Sequence, residues 1–382
     1  MNVDLAQHRE NYLHLNADCI PVRGAVRSVI CDLTRSELIF FPDEYYELLE
    51  YLLTDKLGLL TDAIEQEEEK KMLFDFIDFL NENELICFVK DRTLFPPIKE
   101  AWDTHAIIQN AIIDVDTVLH DFSKIFNELD KLECRFVQIR SFSHLLNLEE
   151  VDNLLAAAQH TSIESVELLL KYDPVVADPT YIKLIEDQPI LSNLTLHSAM
   201  KERELVADYG NKESDDYTKK YIRVVSQFIS SQSHCGNISI KTLNAPSVEN
   251  FFEIKMYNGC LNRKISVDAG GEIKNCPSML ESYGNIQTTD LSKAVNSAGF
   301  KDKWNIKKDQ VEICRDCEFR YVCSDCRAYV EEPGNIYSKP LKCGYNPYTC
   351  EWEDWSENPL KQKAIAYYQT RQNIEEPEMM NA

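Results

Sequence analysis

Cys314-Arg315-Asp316-Cys317-Glu318-Phe319-Arg320-Tyr321-Val322-Cys323-Ser324-Asp325-Cys326 brings four thiols together in one short, polar stretch. The residues between the thiols are too polar for a core strand or helix, and thiols held this close in a polar loop most often hold metal. Working outward, eight of the 13 cysteines fall in the last third of the chain: Cys260, Cys276, Cys314, Cys317, Cys323, Cys326, Cys343 and Cys350. Cys260 and Cys276 bracket an alternating run, Arg263 to Val267, a Gly-rich turn at Gly270-Gly271, and a return through Glu272 to Asn275. That pattern predicts a β-hairpin closed at its open end by two thiols.

Spacing bears on the metal. Zinc knuckles usually stand about twelve or more residues apart, because each pair approaches a tetrahedral ion from its own turn. Only five residues separate Cys317 from Cys323. A cubane iron-sulfur cluster is larger and takes thiolates from a loop wrapped around its corners, so two 4Fe-4S clusters are expected, with two zinc ions as the alternative. A disulfide scaffold is disfavoured, because Met1-Asn2-Val3-Asp4 opens a polar segment and no secretory signal is expected.

The pattern Cys260-x10-Gly271-x4-Cys276, then Cys314-x2-Cys317-x5-Cys323-x2-Cys326, then Cys343, resembles the SPASM domain, the auxiliary iron-sulfur extension of peptide-modifying radical SAM enzymes. The run from Cys314 to Tyr329 is similar, more narrowly, to the SPASM peptide maturases of grasp-with-spasm systems, which work with an ATP-grasp ligase on a ribosomally made peptide. The resemblance covers about residues 255 to 350. It implies one cluster on Cys314, Cys317, Cys323 and Cys343, and another on Cys260, Cys276 and Cys326. Two departures stand out: two residues, not three, separate Cys323 from Cys326, and the family's upstream cysteine falls on Ile254. Cys350 is the expected substitute ligand, an open iron site the alternative, and Cys235 a reserve.

The remainder divides in two. Residues 1–98 show short strands within Tyr12 to Val26 and Ser28 to Phe41, helical spacing over Tyr45 to Leu53 and Met72 to Leu80, and a last strand, a wing, at Leu85 to Val89. This order resembles a PqqD-like winged-helix leader-recognition domain, which captures a precursor peptide as an added strand. Pro96-Pro97 marks a linker. Residues 99–255 alternate strands (from Ile107, Cys134, Ser165, Leu191 and Ile238) with helices (from Val118, Leu148 and Tyr221), which predicts parallel strands with crossover helices in a partial (β/α) barrel. Residues 256–382 carry the cysteine-rich domain and a tail with Trp352 and Trp355.

A working radical SAM barrel needs Cys-x3-Cys-x2-Cys after its first strand and a glycine-rich strand end. Between Ile107 and Asn250 the only cysteines are Cys134 and Cys235, and no glycine lies between Gly58 and Gly210. The barrel reads as degenerate, so SAM is not an expected cofactor, no catalytic residue is assigned, and whether the chain is itself an enzyme stays open. Asp114-Val115-Asp116 reads as a solvated strand end or a cation site, and Cys19, Cys31, Cys87 and Cys134 as small hydrophobes. A net charge of −24 argues against nucleic acid, and no apolar run is long enough to span a membrane. The expected function is cytoplasmic maturation of a ribosomally synthesised peptide with an ATP-grasp ligase. A redox enzyme acting on a peptide and a zinc-bound scaffold are the alternatives.

Overall fold

The computed structural model describes residues 4–116, 120–209, 218–243 and 246–372. It is a mixed α/β structure organised by one large, mostly parallel sheet.

The N-terminal strands are β1 (Tyr12–Leu15), β2 (Cys19–Val22), β3 (Arg27–Asp32) and β4 (Glu37–Pro42). Three helices follow, α1 (Tyr46–Leu52), α2 (Leu57–Ala63) and α3 (Glu67–Glu82), and then β5 (Ile86–Val89). Strands β2, β3 and β4 form an antiparallel meander with β3 in the middle. Its alternation is resolved by two cores. Ile30 and Phe41 face α1 to α3, whereas Val29 and Cys31 face the cysteine-rich C-terminal region. The strand expected as a wing, β5, pairs antiparallel with β1, and this register puts Leu13 and Ile86 into the helical core. Helix α2 was not expected from the sequence.

The middle of the chain supplies β6 (Asn110–Val115), α4 (Phe122–Asp130), β7 (Phe136–Ser141), α5 (Leu148–Ala158), β8 (Ser165–Lys171), α6 (Asp178–Asp187) and β9 (Leu191–His197). Next come β10 (Arg203–Tyr209), β11 (Thr218–Val224), α7 (Val248–Met256), β12 (Lys264–Val267) and β13 (Ile273–Lys274). The eight-stranded sheet runs β10-β11-β9-β8-β7-β6-β12-β13, antiparallel only at its two ends. The helix expected from Tyr221 is strand β11. Ile222 and Val224 are buried between outward Tyr221 and Arg223, a period of two. Ile238 makes an isolated bridge to Cys343, not the start of a strand. The helix expected from Val118 begins, among described residues, at Phe122, and its first two positions lie outside them.

Alternation also gives the large sheet two unlike faces. Ala111, Ile113, Val137, Ile139, Val166 and Leu168 pack with α4, α5 and α6 in the main core. The opposite face carries Ile112, Asp114, Gln138, Arg140, Glu167 and Lys264, and seven of its residues, Asn110, Ile112, Phe136, Gln138, Ser165, Glu167 and Lys264, line a cavity of about 280 Å³. The last segment adds α8 (Leu291–Val295), the small hairpin β14 (Tyr345–Asn346) and β15 (Glu351–Trp352), and α9 (Gln362–Gln372). Among the described residues, no helix is long and apolar enough to cross a membrane.

Candidate metal centre

The hairpin β12–β13 carries the first two thiols, with Cys260 before it and Cys276 after it. Asn258 shapes the approach: its side-chain oxygen accepts from the backbone N–H of Cys260 at 3.1 Å and of Leu261 at 3.0 Å. The second group begins abruptly. Ile313 takes φ +66°, a strained conformation for a β-branched residue that costs about 1–3 kcal/mol, and turns the chain into the short 3-10 turn Cys314–Asp316.

The thiols fall into two neighbourhoods. Burial pushes the Cys276 thiol up to about 12, with Cys260 and Cys235 adding to the rise. Burial does the same to Cys326, with Cys260, Cys276 and Cys235 contributing. In the other neighbourhood burial raises Cys314 to about 11; Lys308 opposes this, and Asp325, Cys323 and Cys343 add to it. Cys317 is held well above its ordinary range by burial, then Glu318, Cys314 and Cys323. A first set therefore forms around Cys260, Cys276 and Cys326, and a second around Cys314, Cys317, Cys323 and Cys343. Cys323 and Cys326 go to different sets although only two residues lie between them.

Asp325 holds that divergence in place. It is buried at φ +69°, pairs with Lys308 at 2.8 Å, and accepts hydrogen bonds from Arg327 at 2.8 Å and from Asn258 at 2.6 Å. Burial alone would raise its carboxyl, but Lys308 and Arg327 bring it well below the usual carboxylate range. Each set also has a lysine ammonium that the sequence does not signal, since a single lysine carries no spacing pattern: buried Lys308 and half-buried Lys264. Lys308 Nζ reaches Cys314 Sγ at 3.7 Å, and Lys264 Nζ reaches Cys260 Sγ at 3.6 Å. Burial disfavours the Lys264 ammonium, yet Cys260, Cys276 and Cys235 together leave its pKa raised.

Cys350 stands apart from the first set. It lies in the turn of the β14–β15 hairpin at φ +58° and packs into the core that holds Tyr345 and Phe319. Tyr345 in turn donates to buried Glu318, which also accepts from Arg27 of β3 at 2.6 Å. This network ties the N-terminal meander to the second set. Val22, Val29, Cys31 and Leu33 share one core with Phe319, Val322, Cys323 and Cys343. A side chain at Gly24 would run into the Arg27 carbonyl and the Glu318 side chain, so glycine is needed for the close approach.

The first set borders the polar face of the large sheet. Asp114 and Arg140 form a buried bidentate pair at 2.7 and 2.9 Å, and the Arg140 guanidinium feels Cys235 and Cys276. Asp114 is thus an ion-pair partner, not a solvated strand end, while Asp116 accepts from Ser143 at 2.6 Å. Cys19, Cys31 and Cys134 are buried, and burial lifts each thiol to about 12. Cys87 is half-buried. Among the described residues, no three His, Cys, Asp or Glu side chains stand close enough together to hold a single metal ion. Neither a protein-family model nor a curated protein matches the chain.

Proposed function

We propose that the chain is a metallocluster-bearing maturation partner for a ribosomally synthesised peptide, as the SPASM resemblance implies. The observation that carries this reading is the gathering of seven cysteines into two neighbourhoods, each with a lysine ammonium beside one of its thiols. The donors fit an iron-sulfur cubane: thiolates are its ligands, its size spreads them wider than the donors of one ion, and a nearby ammonium offsets their negative charge. Cys314, Cys317, Cys323 and Cys343 would hold one cluster, and Cys260, Cys276 and Cys326 would supply three ligands of the other. Bound there, clusters supply folding energy and a one-electron store.

The finer architecture proposed is a winged-helix-like leader-recognition domain over 1–98, a degenerate radical-SAM-like barrel over 99–255 and a SPASM domain over 256–382. Strands β2 and β4 each have a single partner in the meander, so each leaves a row of backbone groups to which an extended leader peptide can add. The segment after β6 has no Cys-x3-Cys-x2-Cys triad, so an ATP-grasp ligase would perform the bond-forming step in the cytoplasm. The test is to incubate a candidate precursor peptide and an ATP-grasp ligase from the same genome with ATP and Mg²⁺, with and without the chain. A peptide mass change that depends on the chain supports the reading. Equal modification without it overturns it.

A second reading, a redox enzyme acting on a peptide, is favoured by one feature: Lys264 both lines the cavity on the polar sheet face and reaches Cys260. Electrons from the first cluster would then have a route to a molecule bound on that face.

A further inference from the structure

We infer that Cys235 is the fourth ligand of the first set, so that four protein thiolates close it and leave no iron open to substrate. This rests on the cluster reading above and adds the residue that completes it.

The geometry places the Cys235 loop on the set. Gly236 adopts φ +86°, and a side chain there would come within 3.0 Å of Cys326 Sγ. The loop is tied down from both segments that carry neighbouring thiols. Ser278, two residues beyond Cys276, donates to the Gln232 carbonyl at 3.3 Å. Lys342, next to Cys343, donates to the Cys235 carbonyl at 2.9 Å and also to the Ser233 carbonyl. Ile238 returns a bond from its N–H to the Lys342 carbonyl at 3.0 Å. Cys235 itself influences Cys260, Cys276, Cys326 and Lys264, the same groups that influence one another. Cys350, closer in sequence to the other cysteines, is turned instead toward Tyr345 and Arg27 at the N-terminal interface.

A closed set changes what a cluster there can do. With every iron held by protein, its roles are to hold the fold and to pass electrons, since direct ligation of a substrate needs a free iron site. Cys235 is exposed, so electrons would enter on its side.

The test compares wild type, Cys235→Ala and Cys350→Ala, purified without oxygen, by iron and acid-labile sulfide content and by electron paramagnetic resonance. Wild type should carry about eight irons and eight sulfides. Cys235→Ala should lose up to half of them, or show a three-iron signal from one cluster, while the signal of the other persists and reports a folded chain. Cys350→Ala should match wild type. An unchanged Cys235→Ala spectrum, or the loss appearing in Cys350→Ala instead, overturns the inference and leaves the cluster reading standing. If Cys235→Ala loses all its iron, Cys235→Ser decides: a shifted signal from one cluster supports the assignment and an unshifted one overturns it. A wild type without iron and sulfide overturns the cluster reading and this inference with it.

Discussion

The two cysteine sets differ in how the chain builds them. The second takes three thiols from one short loop, Cys314 to Cys323, and adds Cys343; it lies under the N-terminal meander and shares its core. The first draws on segments far apart in sequence, around Cys260, Cys276 and Cys326, with Cys235 as its proposed fourth member, and lies against the polar face of the large sheet. A local set can order itself when it binds its ligand, and so suits a structural post beneath the N-terminal meander. A dispersed set forms only when the sheet, the hairpin and the loops are already in place, which suits a site whose position matters for function.

The largest expected effect separates these roles. Replacing both Cys314 and Cys317 by alanine should remove about half the bound iron and loosen the N-terminal meander, whereas Cys260→Ala with Cys276→Ala should remove the other half and leave the meander docked. Iron analysis with limited proteolysis of residues 1–98 checks this; equal protection in both variants would erase the proposed difference. Next in size is Asp325, which joins the two sets. Asp325→Ala leaves Lys308 and Arg327 buried without their carboxylate, a loss of about 3–5 kcal/mol by chemical denaturation. An effect confined to one cluster's spectrum would show that Asp325 serves that set alone.

A smaller effect belongs to the meander alone. Asp32 is buried and accepts from the backbone N–H of Arg35 at 2.8 Å and from its guanidinium at 2.6 Å. Burial would raise its carboxyl, but these bonds hold it below the ordinary value. Its contribution, about 1.5–3 kcal/mol for charged hydrogen bonds, is therefore present at neutral pH and lost as pH falls below about 4 toward the lowered folded value. Asp32→Asn should lower stability at pH 7 and differ less from wild type at pH 3 in urea unfolding; a constant difference would contradict the assignment. The smallest change is electronic. Lys264→Met removes a cation beside Cys260, so one reduction potential should fall while the other stays put in a redox titration. A shift of both would mean that the sets are not electrically distinct.

What was legible in the sequence follows the same division between local and dispersed. The Cys314 to Cys326 spacing, strands β6 to β9 and helices α4 and α5 announce themselves through short-range pattern. Helix α6 carries little signal because it opens on Ala177 with no side-chain cap, and α2 because its Lys56 cap is equally silent. Strand β11 reads as a helix in the sequence, yet its Ile222 and Val224 alternate with exposed residues. Cys350 drew attention by following Cys343 closely, but the β14–β15 hairpin carries it toward Tyr345. Cys235 has no spacing signal and reads from the sequence only as a reserve ligand; the fold brings its neighbour Gly236 against Cys326.

The most direct test of the cluster account is metal analysis of the whole chain purified without oxygen, followed by incubation with dithionite and SAM. The account predicts about eight irons and eight sulfides per chain and no SAM cleavage. About two zinc ions without sulfide, or dithionite-dependent SAM cleavage, would contradict it.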